Sequence, residues 1–183
     1  RLLNNQLSID MALVGTLDDN QLCNLANSLG WSFIKSVVHS DPDQLIFEDY
    51  KINIYRDSFI QVLKSSDVVL AMAGTATEQA VGLCKPVVQL SGMGPQFTSD
   101  FAEAQRRLLG PTVFCADQQL SNNSKYERTA TLIITLLNRL QTDSLLQEEC
   151  QKQAATRLGI KPSATRAIVQ DILEKLYLKI ESK

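Results

Sequence analysis

The sequence predicts an α/β protein in which helices cover a parallel sheet, followed by a helical C-terminal tail. Up to residue 120, short apolar segments alternate with segments of helical periodicity, which is the pattern of parallel strands joined by helices. After residue 121 only helical periodicity remains. We therefore expect a Rossmann-like, three-layer parallel sheet in one domain over residues 1–183, with residues 121–183 as its helical tail.

The predicted strands are short apolar segments bounded by turn residues. They cover residues 7–14, 31–38, 51–55, 67–72, 86–90 and 112–114. Residues 39–50 are polar and are predicted to be irregular, with a turn at Asp41-Pro42.

The predicted helices carry apolar residues at helical spacing. They cover residues 20–29, 59–64, 98–109, 125–140, 145–158 and 163–181, and a further helix opens at residue 75. Gly30 and Gly159 stand where two of these helices should end, because glycine favours the left-handed conformation that closes a helix.

Composition restricts the class of protein. The 183 residues are 44% hydrophobic, and the net charge of -2 argues against a dedicated nucleic-acid-binding protein. The four cysteines lie far apart without a CxxC pair, and His39 is the one histidine of the sequence. This spacing predicts no metal site, and we expect reduced thiols in a cytoplasmic protein.

The sequence contains no apolar run that approaches the roughly 18 residues of a membrane-spanning helix. We therefore expect no transmembrane segment, while peripheral association with a membrane surface stays open. Because the sequence starts at Arg1, we also expect it to be a piece of a longer protein.

The most informative segment covers residues 66–80 and predicts a buried strand, a glycine turn and the start of a helix. Gly74 permits a tight turn, and Thr75 and Thr77 stand where N-cap and first-turn hydroxyls occur. The N–H groups and the positive dipole end of such a helix favour a phosphate. The candidate phosphate-binding residues are Gly74, Thr75, Ala76 and Thr77. A plain strand–helix turn with a threonine cap is the alternative.

Further candidates flank this turn. Glu78 and Gln79 follow within one helical turn and could bind ribose hydroxyls, although a first-turn acid also complements the helix dipole. Gly94 and Gln96 follow the predicted strand 86–90, at the edge where open α/β sheets bind ligands. Gln96 is a candidate contact to a transferred sugar, and the alternative is a turn whose Phe97 fills the core.

Four segments carry a resemblance to a known family. They are MAGTATEQAVG at 72–82, KPVVQL at 85–90, GPQFT at 94–98 and FAEAQRRLLG at 101–110, about a third of the chain. Together they resemble the C-terminal half of GT-B-fold glycosyltransferases, in particular the lipid-A-disaccharide synthase family and its cyanobacterial and plant branch.

The resemblance implies a two-domain hexosyltransferase. Its C-terminal domain would bind a nucleotide sugar, commonly UDP-N-acetylglucosamine, and its N-terminal domain would bind the acceptor, for which a lipid is one candidate. It implies no metal or other cofactor, since helix ends and backbone amides stabilise the diphosphate leaving group. The catalytic base would come from the N-terminal domain, so we assign no catalytic residue and expect this chain alone to be inactive.

Two departures from the family pattern leave alternatives open. Gln79 stands where the family usually has a ribose-binding glutamate, and residues 1–20 do not match the family's first strand and its phosphate-contacting loop. We therefore expect the chain to begin after that loop. One alternative is a sugar-nucleotide 2-epimerase, which often carries glutamates at both positions 78 and 79. The other is a non-catalytic α/β binding module, or a subunit that needs a partner domain.

Overall fold

The computed structural model describes residues 7–13, 15–38, 40–72, 74–92, 98–115, 121–159 and 164–181. The chain divides into two compact units, Arg1–Ser66 and Asp67–Lys183. Strands and helices occur in both units, so the α/β class predicted from the sequence is confirmed. That residues 1–183 form one nucleotide-sugar-binding domain stays a prediction.

The first unit contains a four-stranded sheet and two helices. Its elements are β1 (Asp10–Leu13), α1 (Asp19–Ser28), β2 (Ser32–Ile34), β3 (Asp43–Phe47), β4 (Tyr50–Arg56) and α2 (Phe59–Ser65). The strand order is β1-β4-β3-β2, in which β1 and β4 are parallel. Leu22 and Ala26 on one face of α1 form the core with Leu45 of β3 and Ile54 of β4.

Strand β3 corrects the prediction that residues 39–50 are irregular. It forms a hairpin with β4, in which Leu45 lies opposite Ile52. The two-residue turn places Glu48 at φ +51°, a conformation for which hairpins usually use glycine or asparagine. Because the usual turn residues are missing, the sequence gives little sign of the hairpin. Both β2–β3 and β3–β4 are antiparallel, so the prediction of a wholly parallel sheet is wrong for this unit.

The second unit contains a parallel sheet and the remaining helices. Its elements are β5 (Val69–Ala71), α3 (Thr75–Gly82), β6 (Val87–Gln89), α4 (Ser99–Leu109), β7 (Val113–Cys115), α5 (Asn122–Thr142), α6 (Ser144–Gln153), a π-helical turn (Ala154–Leu158) and α7 (Ala164–Glu181). The strand order is β5-β6-β7, and both pairs are parallel. The parallel sheet and the helical segment after residue 121 are thus confirmed for this unit.

The central strand of this sheet supplies the core. Val87 and Val88 of β6 are fully buried. Leu136 of α5, together with Leu146 and Cys150 of α6, packs in one cluster with Val88. These helices therefore bury their apolar residues with the sheet, which explains why α5 and α6 form where the sequence shows helical periodicity.

Helix α7 differs from α5 and α6, because four apolar residues in its described part face solvent. Ile168, Val169, Ile172 and Leu173 are 48–60% exposed. The helical spacing of apolar residues in this segment therefore does not correspond to a core face at these four residues. Among the described residues, none of the helices has the length and apolar character needed to cross a bilayer.

Candidate functional site

The predicted strand, glycine turn and helix are present at the carboxyl edge of the parallel sheet. β5 ends at Ala71, and α3 begins at Thr75 with Gly74 as its N-cap. Gly74 has φ +81° and ψ -153°, a conformation that is open almost only to glycine. At the same edge Ala71 lies in register with Gln89, the last residue of β6, which is in turn in register with Cys115 of β7.

A buried glutamine of α4 holds this turn. The Gly74 N–H donates to Gln105 Oε1 at 3.2 Å, and Gln105 Nε2 donates to the Gly74 carbonyl oxygen at 3.0 Å. Gln89 Nε2 also donates to Gln105 Oε1, at 2.5 Å, and the Cys115 thiol donates to Gln89 Oε1 at 3.4 Å. Gln89 and Gln105 are 1% and 7% exposed. The edge of the sheet therefore carries a connected network of buried polar side chains.

This network changes which donors at the helix start are available to a ligand. The Gly74 N–H is bonded to Gln105, and the Thr77 N–H donates to the Gly74 carbonyl at 3.0 Å. Within the described part of the chain, the N–H groups of Thr75 and Ala76 have no hydrogen-bond partner. These two groups are the donors that the start of α3 can offer to an anion.

The start of α3 also lacks the side-chain cap that most other described helices have. A side-chain oxygen accepts from a first-turn N–H in α1, α4, α5 and α6. The capping residues are Asp18, Thr98, Ser121 and Asp143. Since glycine has no side chain, α3 has no such cap, and its first donors are left to water or to an external acceptor.

The start of α1 shows the opposite arrangement. Asp18 forms a reciprocal capping box with Gln21, and Asp19 in the first turn pairs with Lys35 and Arg56. The hydrogen bond from Lys35 and the charges of Lys35 and Arg56 lower the pKa of Asp19. The Asp18 carboxylate thus already accepts from a first-turn N–H at this helix end, and Asp19 binds the nearby cations, so α1 offers fewer groups to a phosphate.

The predicted phosphate and ribose residues lie together on the first turns of α3, with different accessibility. Thr75 and Gln79 are exposed, and Ala76 and Glu78 are half-buried. Thr77 is 0% exposed, and its hydroxyl has no hydrogen-bond partner among the residues that the structure describes. The Thr77 side chain lies on the buried face of α3 with Ala80 and Val81, so the predicted contact of its hydroxyl with a phosphate is not available in this conformation. Gly94 and Gln96 lie outside the described residues.

A positive charge near this edge could not be assigned from the sequence. Lys125, in the first turns of α5, donates from Nζ to the carbonyl oxygen of Ser91 at 2.7 Å. Ser91 follows the carboxyl end of β6 by two residues. No sequence pattern links Lys125 to a position 34 residues earlier, and only the fold brings its ammonium group to the edge of the sheet.

The two arginines of α4 are engaged by a carboxylate. Arg106 donates to both oxygens of Glu103, at 2.6 and 2.8 Å, and Arg107 Nε donates to Glu103 Oε1 at 2.9 Å. These hydrogen bonds lower the pKa of Glu103 to about 2. Both arginines thus pair within their own helix, with side chains that are 39% and 76% exposed. Both guanidinium groups therefore have a carboxylate partner on α4 while their side chains stay partly solvated.

The chemistry available at this edge is binding of an anion by backbone donors and nearby positive charge. Burial raises the pKa of Cys115, so the thiol is held in its neutral form and is a poor nucleophile. Among the described residues, no cluster of three or more histidine, cysteine, aspartate or glutamate side chains could hold a metal ion.

Comparison with models of known protein families, with curated proteins and with solved structures gave no match for this chain. The resemblance to the lipid-A-disaccharide synthase family therefore stays a prediction from the sequence.

Proposed function

We propose that this chain is the donor-binding domain of a glycosyltransferase that resembles lipid-A-disaccharide synthase. The proposed donor is a UDP-sugar. The observation that carries the proposal is the uncapped start of α3, held at Gly74 by a buried network at the carboxyl edge of a parallel sheet. Ligands of open α/β sheets bind at this edge, and a helix start with unbonded N–H groups favours a phosphate.

The proposed diphosphate site uses the N–H groups of Thr75 and Ala76. The exposed Thr75 side chain adds a hydroxyl beside them. Lys125 supplies positive charge from α5, since its ammonium group already lies at the end of β6. These groups would stabilise the UDP leaving group through fixed hydrogen-bond donors and charge, as proposed for the family.

The proposed ribose site uses Glu78 and Gln79, one turn further along α3. Gln79 is exposed and Glu78 is half-buried, so both side chains can reach a ligand at the start of the helix. A carboxylate forms the stronger, charge-assisted hydrogen bond to a hydroxyl. Glu78 is therefore proposed as the main ribose contact, and Gln79 as a weaker one.

The exposed apolar face of α7 supports the part of the proposal in which a second domain completes the enzyme. Ile168 and Val169, with Ile172 and Leu173 one turn later, expose about half of each side chain. A row of exposed apolar residues on one helix is typical of a surface that packs against a partner. In this proposal the partner carries the acceptor site and the catalytic base.

Calorimetric titration with UDP, UDP-N-acetylglucosamine, GDP and ADP tests the proposal. We expect binding of UDP and its sugar in preference to GDP and ADP, with a Kd of ~1 mM or tighter, which corresponds to about -4 kcal/mol. No binding of UDP by the folded chain would contradict the proposal. For the full-length protein with UDP-N-acetylglucosamine, a new glycosidic bond supports a transferase, and an epimerised sugar contradicts it.

A pair of glycine variants tests the location of the site. Gly74 and Gly159 have similar φ, +81° and +79°, and among the described residues an added Cβ would meet no atom within 4 Å at either position. The positive φ therefore strains a valine at both positions. Gly74→Val should abolish UDP binding and Gly159→Val should retain it, each with the fold verified by circular dichroism. Normal UDP affinity in folded Gly74→Val would refute the assignment.

A further inference from the structure

We propose that Gln105 is a positioning residue that aims the Thr75 N–H at the ligand, an inference that rests on the proposed donor site. Gln105 is 7% exposed, so its own amide is shielded from a ligand in solution. Its action on binding would therefore pass through the backbone of the glycine turn.

The contacts of Gln105 fix the two peptide groups that meet at Gly74. The Gly74 N–H belongs to the peptide group before this residue, and the Gly74 carbonyl to the one after it. One side-chain amide binds both groups, at 3.2 Å and 3.0 Å. Rotation about both backbone bonds of Gly74 is restricted as a result, although glycine is the residue with the greatest backbone freedom.

The second of these peptide groups contains the Thr75 N–H. In a planar trans peptide the N–H points opposite to the carbonyl oxygen of the same group. Because Gln105 Nε2 binds the Gly74 carbonyl oxygen, the Thr75 N–H points away from Gln105. The Gly74 carbonyl oxygen also accepts from the Thr77 N–H at 3.0 Å. The hydrogen bond from Gln105 therefore acts together with this helical bond to set the direction of one of the two donors assigned to the diphosphate.

The orientation of Gln105 is fixed in turn from the sheet. Gln89 Nε2 donates to Gln105 Oε1, and the Cys115 thiol donates to Gln89 Oε1. A flipped Gln105 amide would place its NH₂ group against two donors, the Gln89 NH₂ and the Gly74 N–H. The network therefore selects the orientation in which the nitrogen of Gln105 faces the Gly74 carbonyl.

The test compares two buried glutamines of the second unit. Gln105→Met removes the hydrogen bonds to Gly74 at nearly constant volume. Gln153→Met is the matched control, because Gln153 in α6 is also 7% exposed and contacts Glu149 and Arg157 instead. For each variant we would measure UDP affinity by calorimetry, stability by urea unfolding, and hydrogen exchange of the Gly74 amide.

We expect Gln105→Met to weaken UDP binding about tenfold or more and to accelerate exchange of the Gly74 amide about tenfold or more, since this amide loses its acceptor. Gln153→Met should leave both UDP affinity and exchange of the Gly74 amide unchanged, while it loses about as much stability as Gln105→Met. UDP affinity in Gln105→Met equal to that of the control would overturn the inference. Should Gln105→Met not fold, Gln105→Asn replaces it, because its side chain keeps a polar amide that is too short to reach Gly74. The same changes in UDP affinity and in exchange of the Gly74 amide are then expected for Gln105→Asn.

Hydrogen exchange separates the failure of this inference from the failure of the proposed function. If the unsubstituted chain binds no UDP, the proposed function fails, and the Gly74 amide still reports on Gln105. Unchanged protection of that amide in Gln105→Met overturns the positioning role. If the unsubstituted chain does bind UDP, a second result also overturns the positioning role. That result is faster exchange of the Gly74 amide in Gln105→Met with unchanged UDP affinity.

Discussion

Gly110 lies directly against the side chain of Gln153. A Cβ on Gly110 would stand 2.8 Å from Gln153 Cδ and 3.3 Å from Gln153 Cγ. Gln153 is 7% exposed and donates from Nε2 to Glu149 Oε1 at 2.6 Å, so it has little room to withdraw. Because Gly110 at the end of α4 has no side chain, the buried side chain of Gln153 in α6 can pack against it.

Replacing Gly110 with alanine should therefore be more damaging than the same change at Gly74. Gly110 has φ +101°, so alanine is strained there by about 1–3 kcal/mol, and the contact with Gln153 adds an overpacking cost of about 1–3 kcal/mol. Gly74→Ala carries a similar backbone strain without a close contact. Urea unfolding of both variants checks this difference, and an equal or smaller loss in Gly110→Ala would contradict it.

Thr77→Val should leave UDP binding unchanged and should not destabilise the fold. Within the described part of the chain, the Thr77 hydroxyl is buried without a hydrogen-bond partner. Its removal therefore gives up no bond and relieves the cost of burying it, which is about 1–3 kcal/mol for an unsatisfied group. Thr112→Val is a second case of the same kind, because the Thr112 hydroxyl is also buried and unpartnered.

Calorimetry and urea unfolding check the Thr77 prediction, with Thr75→Val as the matched variant on the exposed side of the helix. Thr75→Val should weaken UDP binding severalfold, because its hydroxyl lies beside the proposed diphosphate. A loss of UDP affinity in Thr77→Val, with Thr75→Val unaffected, would show that the buried hydroxyl reaches the ligand after a rearrangement.

The Glu103 carboxylate should make a pH-dependent contribution to stability. Hydrogen bonds from Arg106, and to a smaller extent from Arg107, lower its pKa from 4.5 to about 2. A carboxyl group with a lowered pKa stabilises the fold above its unfolded pKa, and this contribution is lost as the pH falls through the folded value. The unsubstituted chain should therefore be more stable than Glu103→Gln at pH 7, with a difference that shrinks between about pH 4.5 and pH 2.

Urea midpoints of the two proteins across this pH range measure the Glu103 effect. The difference should be small and should fall with added salt, because the pair is at the surface and is partly exposed. A constant difference from pH 7 to pH 2 would contradict an origin in the Glu103 charge.

The thiol of Cys150 should resist alkylation in the folded protein. Cys150 is 1% exposed, and burial, with a smaller effect of the neighbouring Cys84, raises its pKa to about 11. Because the thiolate is the reactive form, iodoacetamide at pH 8 should modify the half-buried Cys23 first and Cys150 only after unfolding in urea. Mass spectrometry of the modified peptides checks the order. Equal rates for Cys23 and Cys150 in the folded protein would contradict it.

The local part of the candidate site could be predicted from the sequence. The strand, the glycine turn and the helix at residues 69–82 depend on neighbours in the chain, namely an apolar run followed by Gly74 and helix-forming residues. The buried position of Gln105 was also open to prediction, since it stands at helical spacing between the buried Ala102 and Leu109.

The partners of these residues could not be predicted. Periodicity indicates which face of a helix is buried, but not which group it meets. Gln105 binds Gly74 across 31 residues of sequence, and Lys125 binds Ser91 across 34. The burial of Thr77 is a related case, because a threonine in the first turn of a helix can face either solvent or the sheet.

The fold of the first unit was predicted less well, for a physical reason. A hairpin and a parallel crossover use similar strand sequences, and the turn residues usually distinguish them. At Glu48-Asp49 the turn uses a non-glycine residue with positive φ, so this signal is weak. Polar residues before Leu45 and after Phe47, namely Asp43-Gln44 and Glu48-Asp49, further obscure β3, although Leu45 itself is buried.

Following the backbone amide signals of the ¹⁵N-labelled chain during titration with UDP tests the central claim most directly. The signals of Thr75 and Ala76 should move most, because their N–H groups would bind the diphosphate. The signals of Asp19 and Asn20 at the start of α1 should stay in place. Unmoved signals at Thr75 and Ala76, or larger changes at the start of α1, would contradict it.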